Sequence, residues 1–116
     1  GVVINVSSFA ARKASANLSA YGAGKAALTR FTETVALEWA PFGVRVNTIA
    51  PGQFPDHEQL TDEQFKQRDE AAKSRVPLGR VGRMRDVGLM AVYLASDAAS
   101  YVTGQTFYID GGLVLA

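Results

Sequence analysis

Cysteine and long apolar segments are both missing from this sequence. With no cysteine in the chain, disulfides, thiolate nucleophiles and cysteine-based zinc sites are excluded. No apolar run approaches the roughly 20 residues that a helix needs to cross a bilayer. Since no charged and then apolar leader is evident either, we expect a cytoplasmic protein.

An excess of charge of one sign is missing as well, and potential metal ligands are few. The 116 residues carry a formal net charge of +1, and scattered basic residues do not predict a nucleic-acid-binding surface. The single histidine, His57, lies in a polar stretch between Asp56 and Glu58. We interpret it as a solvated loop residue and expect no metal site. The composition, 47% hydrophobic and 20% charged, is typical of one soluble globular domain.

The apolar pattern predicts alternating strands and helices. Val2 to Val6 is an apolar run without alternation, which predicts a strand buried on both faces. Apolar residues then recur at spacings of three and four from about Ser19 to Ala40, which predicts a helix stopped by Pro41. The other expected elements are strands at 44–50 and 104–112, a helix at 84–96 and a short mobile helix pair within 53–75. This order is the signature of a parallel α/β sheet.

Three residues near the amino terminus could form a proton-transfer site. Tyr21 and Lys25 are four positions apart on the predicted helix, so their side chains share one face. An ammonium about 4–6 Å from a phenol favours the phenolate, which lowers the tyrosine pKa toward neutrality and suits acid/base catalysis. Ser8 follows the first strand and could donate a hydrogen bond to a substrate carbonyl oxygen.

The same residues also have an ordinary interpretation. A tyrosine and a lysine at this spacing occur by chance on many helices, and two serines after a strand often form only a turn. The ordered set is more specific than its parts: Ser8, then Tyr21 and Lys25, then a second strand ending in Pro51 and Gly52. Ligands of open α/β sheets bind outside the carboxyl ends of the strands, where Ser8 and the Pro51–Gly52 turn are both expected.

The full pattern resembles the short-chain dehydrogenase/reductase family, particularly members that reduce 3-oxoacyl groups or oxidise sugars and polyols. The resemblance rests on "INVSS", "YGAGKAAL", "VRVNTIAPG", "PLGRVGRMRDVG" and "YVTGQTFYIDGG". It implies an oxidoreductase that uses NAD or NADP to interconvert a carbonyl and a secondary alcohol of a small molecule. It also implies a homodimer or homotetramer.

The resemblance assigns roles to individual residues. Tyr21 would be the catalytic acid/base, Lys25 would lower its pKa and hold the nicotinamide ribose, and Ser8 would polarise the substrate carbonyl. The Pro51–Gly52 turn and the backbone around Phe54 would lie against the nicotinamide, and residues 53–75 would cover the substrate.

The sequence departs from the family pattern in two respects. Asp56 stands where the family often has a threonine that contacts the carboxamide, so Asp56 is not assigned to the site. The family's glycine-rich phosphate loop and its catalytic asparagine have no counterpart. Residues 1–116 are therefore expected to be the carboxy-terminal half of a single Rossmann domain, with the last three strands of its doubly wound parallel sheet. Without a partner strand, 2–6 would be an apolar edge prone to aggregation, and we expect these residues alone to form no stable active monomer.

Two alternatives stay open at this stage. One is a catalytically silent relative, although retention of Tyr21 and Lys25 argues against it. The other is a truncated fragment that is inactive without an amino-terminal half. The choice between NAD and NADP and the identity of the substrate are not determined, because the residue that discriminates the ribose 2′-phosphate has no counterpart in this chain.

Overall fold

The computed structural model describes residues 1–56 and 58–116, so the interpretation of His57 lies outside the described residues. Strands and helices alternate up to the second strand, which is followed by two helices and a last strand. The elements are β1 (Val2–Val6), α1 (Ser19–Trp39), β2 (Arg45–Pro51), α2 (Asp62–Ala72), α3 (Met84–Ala95) and β3 (Thr106–Ile109). Short 3-10 turns also occur, among them Phe9–Ala11 directly after β1.

The three strands form a parallel sheet in the order β1-β2-β3. In the register, Val3 lies opposite Val46 and Ile49 lies opposite Phe107. The predicted parallel α/β architecture is confirmed. All strands run in the same direction, so their carboxyl ends meet at one edge.

The central strand β2 is covered on both faces because its side chains alternate between two helices. Val46 packs with Val35 and Ala36 of α1, and Ile49 packs with Leu94 of α3 and with Ala99. Since all five residues from Val46 to Ala50 are buried, β2 has no solvated face, as expected for a parallel strand between helices.

The prediction that β1 is buried on both faces is wrong at its two ends. Val2 is 38% exposed and Val6 is 52% exposed, because within residues 1–56 and 58–116 β1 is an edge strand that pairs with β2 alone. The Cα radius of gyration is 15.4 Å, above the roughly 13 Å expected for a compact domain of this length. The described residues therefore form an elongated body with one apolar strand edge.

The helix pair expected within residues 53–75 is also not observed; the described part of this stretch contains one helix, α2. A capping box starts it, in which the Thr61 hydroxyl accepts from Gln64 N and the Gln64 side chain accepts from Thr61 N. The helix is anchored at its far end, where Ala72 is buried with Val76, Val81 and Leu113. Phe65 in the first turn also packs against this cluster, so this single short helix is fixed to the body near both of its ends.

Helix α1 presents one buried stripe and several exposed aromatic groups. Val35 belongs to the core, whereas Phe31 is 58% exposed and Trp39 is 41% exposed in this chain. The helix gives way to a 3-10 turn containing Pro41, which is followed by Gly43 at φ 71°. Among the described residues, no helix combines the length and the apolar character needed to cross a membrane.

Candidate active site

The candidate site lies at the carboxyl edge of the sheet. The ladder continues just beyond the strands: Ser7 N donates to Ile49 O at 2.8 Å, and Gly52 N donates to Ile109 O at 2.9 Å. The backbone is therefore fixed where β1 leads into Ser8 and where β2 ends in the Pro51–Gly52 turn. Both positions were predicted to belong to the site.

Ser7 connects this edge to α1. Its hydroxyl is 3.0 Å from Lys25 O and 3.2 Å from the Thr29 hydroxyl, and the residue is only 4% exposed. The Ser7 hydroxyl has a single proton, so it donates to one of these two oxygens at a time. Ser7, Lys25 O and Thr29 Oγ1 together form one small hydrogen-bond network. This network sets the position of α1 along β1, and with it the position of Lys25.

Lys25 is held at both ends. Its carbonyl accepts from Ser7, and its Nζ donates to Val6 O at 3.1 Å. The same Nζ lies 5.7 Å from the centre of the Tyr21 ring. The structure therefore brings Tyr21 and Lys25 together at the end of β1, on the shared helix face that their spacing predicted.

Ser8 is buried at 5% exposure and caps the 3-10 turn that follows it. Its Oγ accepts a hydrogen bond from Ala10 N at 3.1 Å. Because this contact uses only an acceptor site, the hydroxyl proton of Ser8 stays available for donation. Gly22 allows this turn to lie against α1: a Cβ at Gly22 would be 3.0 Å from the Ala10 carbonyl oxygen. The turn after Ser8 is thus packed against the residue next to Tyr21.

The Pro51–Gly52 turn is fixed from the other side of the site. A Cβ at Gly52 would lie 2.8 Å from the Asp110 Cα, so only glycine fits this close approach. Gly82 N donates to Gln53 O at 2.7 Å, and a Cβ at Gly82 would lie 2.3 Å from atoms of the Phe54 ring. Among the described residues, no hydrogen bond joins Pro51, Gly52 or Phe54 directly to Ser8, Tyr21 or Lys25. The predicted site residues therefore form two groups on one edge.

Two ion pairs secure the segment between α2 and α3. Arg83 contacts both carboxylate oxygens of Asp69, at 2.6 and 3.2 Å, and its guanidinium lies 4.8 Å from the Phe65 ring centre. Arg80 pairs with Asp86 at 2.9 Å. The Arg83 hydrogen bond holds the pKa of Asp69 below its ordinary value, against the opposing effect of partial burial.

Asp86 also receives a backbone hydrogen bond from Arg83 N at 2.8 Å. Its pKa is lowered, first by the side-chain hydrogen bond from Arg80 and then by this backbone contact. Its carboxylate therefore caps the start of α3 and stays ionised there. Within residues 1–56 and 58–116, no group of three or more histidine or acidic side chains is placed to hold a metal ion.

Comparison with known proteins identifies the family. A family model described as enoyl-(acyl carrier protein) reductase matches residues 1–114. The chain belongs to the short-chain dehydrogenase/reductase family. It is 42% identical, over 99% of its length, to the 3beta-hydroxysteroid dehydrogenase 1 of Eggerthella lenta, and this match covers 44% of that protein.

Solved structures of the family have the same fold. The RhlG/NADP active-site complex of Pseudomonas aeruginosa is 37% identical and superposes with a TM-score of 0.86 over 97% of this chain and 46% of that one. A 3-oxoacyl-(acyl-carrier protein) reductase of Brucella melitensis with bound NAD is 33% identical, with a TM-score of 0.81 over 100% of this chain and 42% of that one. The chain thus spans about half the length of the relatives it matches, and the expected Rossmann architecture is confirmed for this part.

The donor groups at the edge fit the nicotinamide-ribose end of a dinucleotide. Lys25 Nζ uses one of its three protons on Val6 O, which leaves two for ribose hydroxyl oxygens. The Tyr21 side chain is half-exposed at the same place, so a ligand can reach it.

Several residues that shape this site were not found in the sequence analysis. Ser7 was visible as the first of two serines, and strand alternation could have assigned it to the α1 side. The packing roles of Gly22, Gly52 and Gly82 depend on contacts with Ala10, Asp110 and Phe54. The Asp69–Arg83 pair spans 14 residues and has no local sequence signal.

Proposed function

We propose that this chain forms the proton-transfer part of an NAD- or NADP-dependent oxidoreductase that interconverts a carbonyl and a secondary alcohol. In this proposal, residues 1–116 act as the carboxy-terminal half of a single Rossmann-type domain. The observation that carries the proposal is the position of Lys25 Nζ, 3.1 Å from Val6 O and 5.7 Å from the Tyr21 ring centre. The family membership and the dinucleotides bound in two of the similar structures support it.

Each side chain has a distinct task. When bound, the nicotinamide supplies or accepts the hydride at the carbon of the carbonyl–alcohol pair. In the reductive direction, the Tyr21 phenol donates its proton to the oxygen as the C=O bond becomes a C–OH bond, and oxidation reverses this transfer. The Lys25 ammonium attracts the negative charge that the phenol oxygen acquires. Ser8 donates a hydrogen bond to the substrate oxygen and fixes its position.

The second group of residues would hold the cofactor. We propose that Lys25 and Tyr21 contact the nicotinamide ribose, and that Pro51, Gly52 and the backbone of Phe54 lie beside the nicotinamide ring. The close approach of Gly52 to Asp110 leaves no room for a side chain at Gly52. A planar ring can come close to backbone that carries no side chain.

Replacement of Tyr21 by phenylalanine in the full-length protein tests this function. The Tyr21→Phe variant should lose about 10²–10⁴-fold in kcat, which is the usual contribution of a positioned acid/base group. Cofactor affinity, measured by nicotinamide fluorescence, should change only a few-fold because the ring and Lys25 remain. Tyr101→Phe is the matched control, since Tyr101 is fully exposed. Undiminished turnover by Tyr21→Phe would contradict the assignment of Tyr21 as the acid/base.

We also propose that the full-length protein is a homodimer or homotetramer. Apolar side chains stay exposed on α1, where Leu37 is 80% exposed, and on α3, where Val92 is 67% exposed. Exposed apolar side chains on two helices favour burial against another protein surface. Light scattering coupled to gel filtration should give two or four times the subunit mass, and a monomer would contradict the proposal.

A further inference from the structure

An open groove of about 470 Å³ borders the candidate site. This size is in the range of small-molecule pockets. Its apolar lining comes from Phe9, Leu18 and Leu113. Phe9 directly follows Ser8, and Leu18 O accepts the helix hydrogen bond of Gly22, the residue after Tyr21. The groove is therefore lined by the residue after Ser8 and by the residue that accepts the first helix hydrogen bond beside Tyr21.

A third connection comes from the Pro51–Gly52 turn, because Gln53 also lines the groove. The groove thus touches the residue after Ser8, the residue after Gly52 and the first turn of α1. A molecule whose carbonyl reaches Ser8 and Tyr21 would extend into this groove.

Two cations lie on the groove wall. Lys13 and Arg75 both line it, and no acidic side chain is among the described lining residues. Arg75 is exposed and takes part in none of the ion pairs of the described residues. Lys13 Nζ donates to the Ala116 carbonyl oxygen, which leaves two further protons of its ammonium for another acceptor.

Acidic groups on the neighbouring elements are already engaged. Glu70 of α2 pairs with Lys73 at 2.6 Å. The Asp110 carboxylate accepts from Gly112 N at 3.0 Å and from Val114 N at 2.9 Å. Glu70 and Asp110 therefore have partners of their own, and neither lines the groove beside Lys13 and Arg75.

We propose that the groove binds the distal part of the substrate, and that this part is an apolar chain ending in an anionic group, a carboxylate or a phosphate. The apolar side chains would cover the chain, and Lys13 and Arg75 would bind its charged end by charge-assisted hydrogen bonds. This inference rests on the proposed function and adds the substrate class to it.

Matched substrates test the proposal in the full-length protein. The probes are straight-chain methyl ketones of increasing length that end in a carboxylate, in a phosphate monoester or in the methyl ester of the same acid. The wild-type kcat/KM should be higher for an anionic ketone than for the neutral ester of equal length. The comparison of carboxylate with phosphate distinguishes the two sources of charge, and a preference for either supports the inference.

Variants of Lys13 and Arg75 provide a second test. In Arg75→Gln and in Lys13→Gln, the ratio of kcat/KM for the anionic ketone to that for its ester should fall about ten-fold, equivalent to about 1.4 kcal/mol. In Arg75→Glu the ratio should fall further, because the wall then repels the anion. Arg68→Gln is the control: Arg68 lies on α2 and does not line the groove, and its ratio should match that of wild type.

The outcomes separate this inference from the proposed function. The groove assignment is overturned if kcat/KM is equal for anionic and neutral ketones, or if the Arg75 and Lys13 variants leave the ratio unchanged. In either case, turnover of the ketones would still support the proposed oxidoreductase. If no ketone is turned over with either dinucleotide, the proposed function fails and the substrate class fails with it.

Discussion

The Lys25 ammonium donates a hydrogen bond to the Val6 carbonyl oxygen at 3.1 Å, which fastens the proposed catalytic helix to the end of β1. The lysine is thereby fixed in place before any ligand binds. A flexible lysine would first have to lose side-chain entropy on reaching its position.

Lys25→Met should therefore lower turnover more than it lowers stability. Methionine retains the length of the side chain but removes the charge and the hydrogen bond, so kcat in the full-length protein should fall about 10²–10³-fold. The free energy of unfolding should fall by only about 1 kcal/mol. Steady-state kinetics and urea unfolding measure the two effects. Arg30→Met, on an 82% exposed side chain of the same helix, should alter neither.

Ser7→Ala should destabilise the protein by about 1–2 kcal/mol, because a buried hydroxyl then no longer bonds to Lys25 O and Thr29. The unfolding free energy from urea titration measures this loss. Thr34→Ala is the matched control, since Thr34 makes its hydrogen bond to Arg30 O at an exposed position. If both variants lose the same stability, Ser7 does not anchor α1.

Gly82→Ala should destabilise the turn that carries Phe54. The added Cβ would lie 2.3 Å from the Phe54 ring, so the ring or the backbone must move. The expected cost is about 1–3 kcal/mol, typical of overpacking. Gly88→Ala should instead be neutral or stabilising by up to about 1 kcal/mol, because nothing lies within 4 Å of its added Cβ. Thermal unfolding compares the two, and a neutral Gly82→Ala would contradict the described packing.

The Asp69–Arg83 pair should make stability depend on acidity. Arg83 lowers the pKa of Asp69 below its ordinary value of 3.8, so this carboxylate stabilises the folded state above that value and ceases to do so as the pH falls through the lower folded pKa. Below about pH 4, wild type should therefore lose unfolding free energy more steeply than Asp69→Asn. The difference should be at most about 1 kcal/mol, since the pair is partly solvated. Glu38→Gln, at an exposed site, should retain the wild-type slope.

Much of the fold could be predicted because its signals are local. The limits of β1, α1 and α3 follow from runs, periodicity and stop residues, and the structure places each within a residue or two of the prediction. The burial of β1 could not be predicted in the same way. The apolar side chains of Val2 and Val6 favour burial. Whether they are buried depends on which strands lie beside β1.

The site was predictable to a similar degree. Tyr21 and Lys25 lie at helical spacing, so their shared face follows from the sequence alone. The anchoring of Lys25 by Ser7 and Val6 depends on how far α1 is shifted along β1, which no local pattern encodes. The same is true of Gly52 and Asp110, whose close approach arises only when β2 and β3 are paired.

The two walls of the candidate site differ in how they are built. One wall is set by the close approach of Gly22 to Ala10 O and of Gly52 to the Asp110 Cα, and by the bonds of Ser7 and Lys25 to main-chain oxygens. The other is the segment directly after α2, where Ser74 and Arg75 line the proposed groove, and it is held by the apolar contacts of Ala72 and Val76. Substitutions at Ser74 and Arg75 would therefore alter the proposed groove without disturbing the proton-transfer residues. Selection could retune the substrate at this segment while the chemistry across the cleft is inherited unchanged.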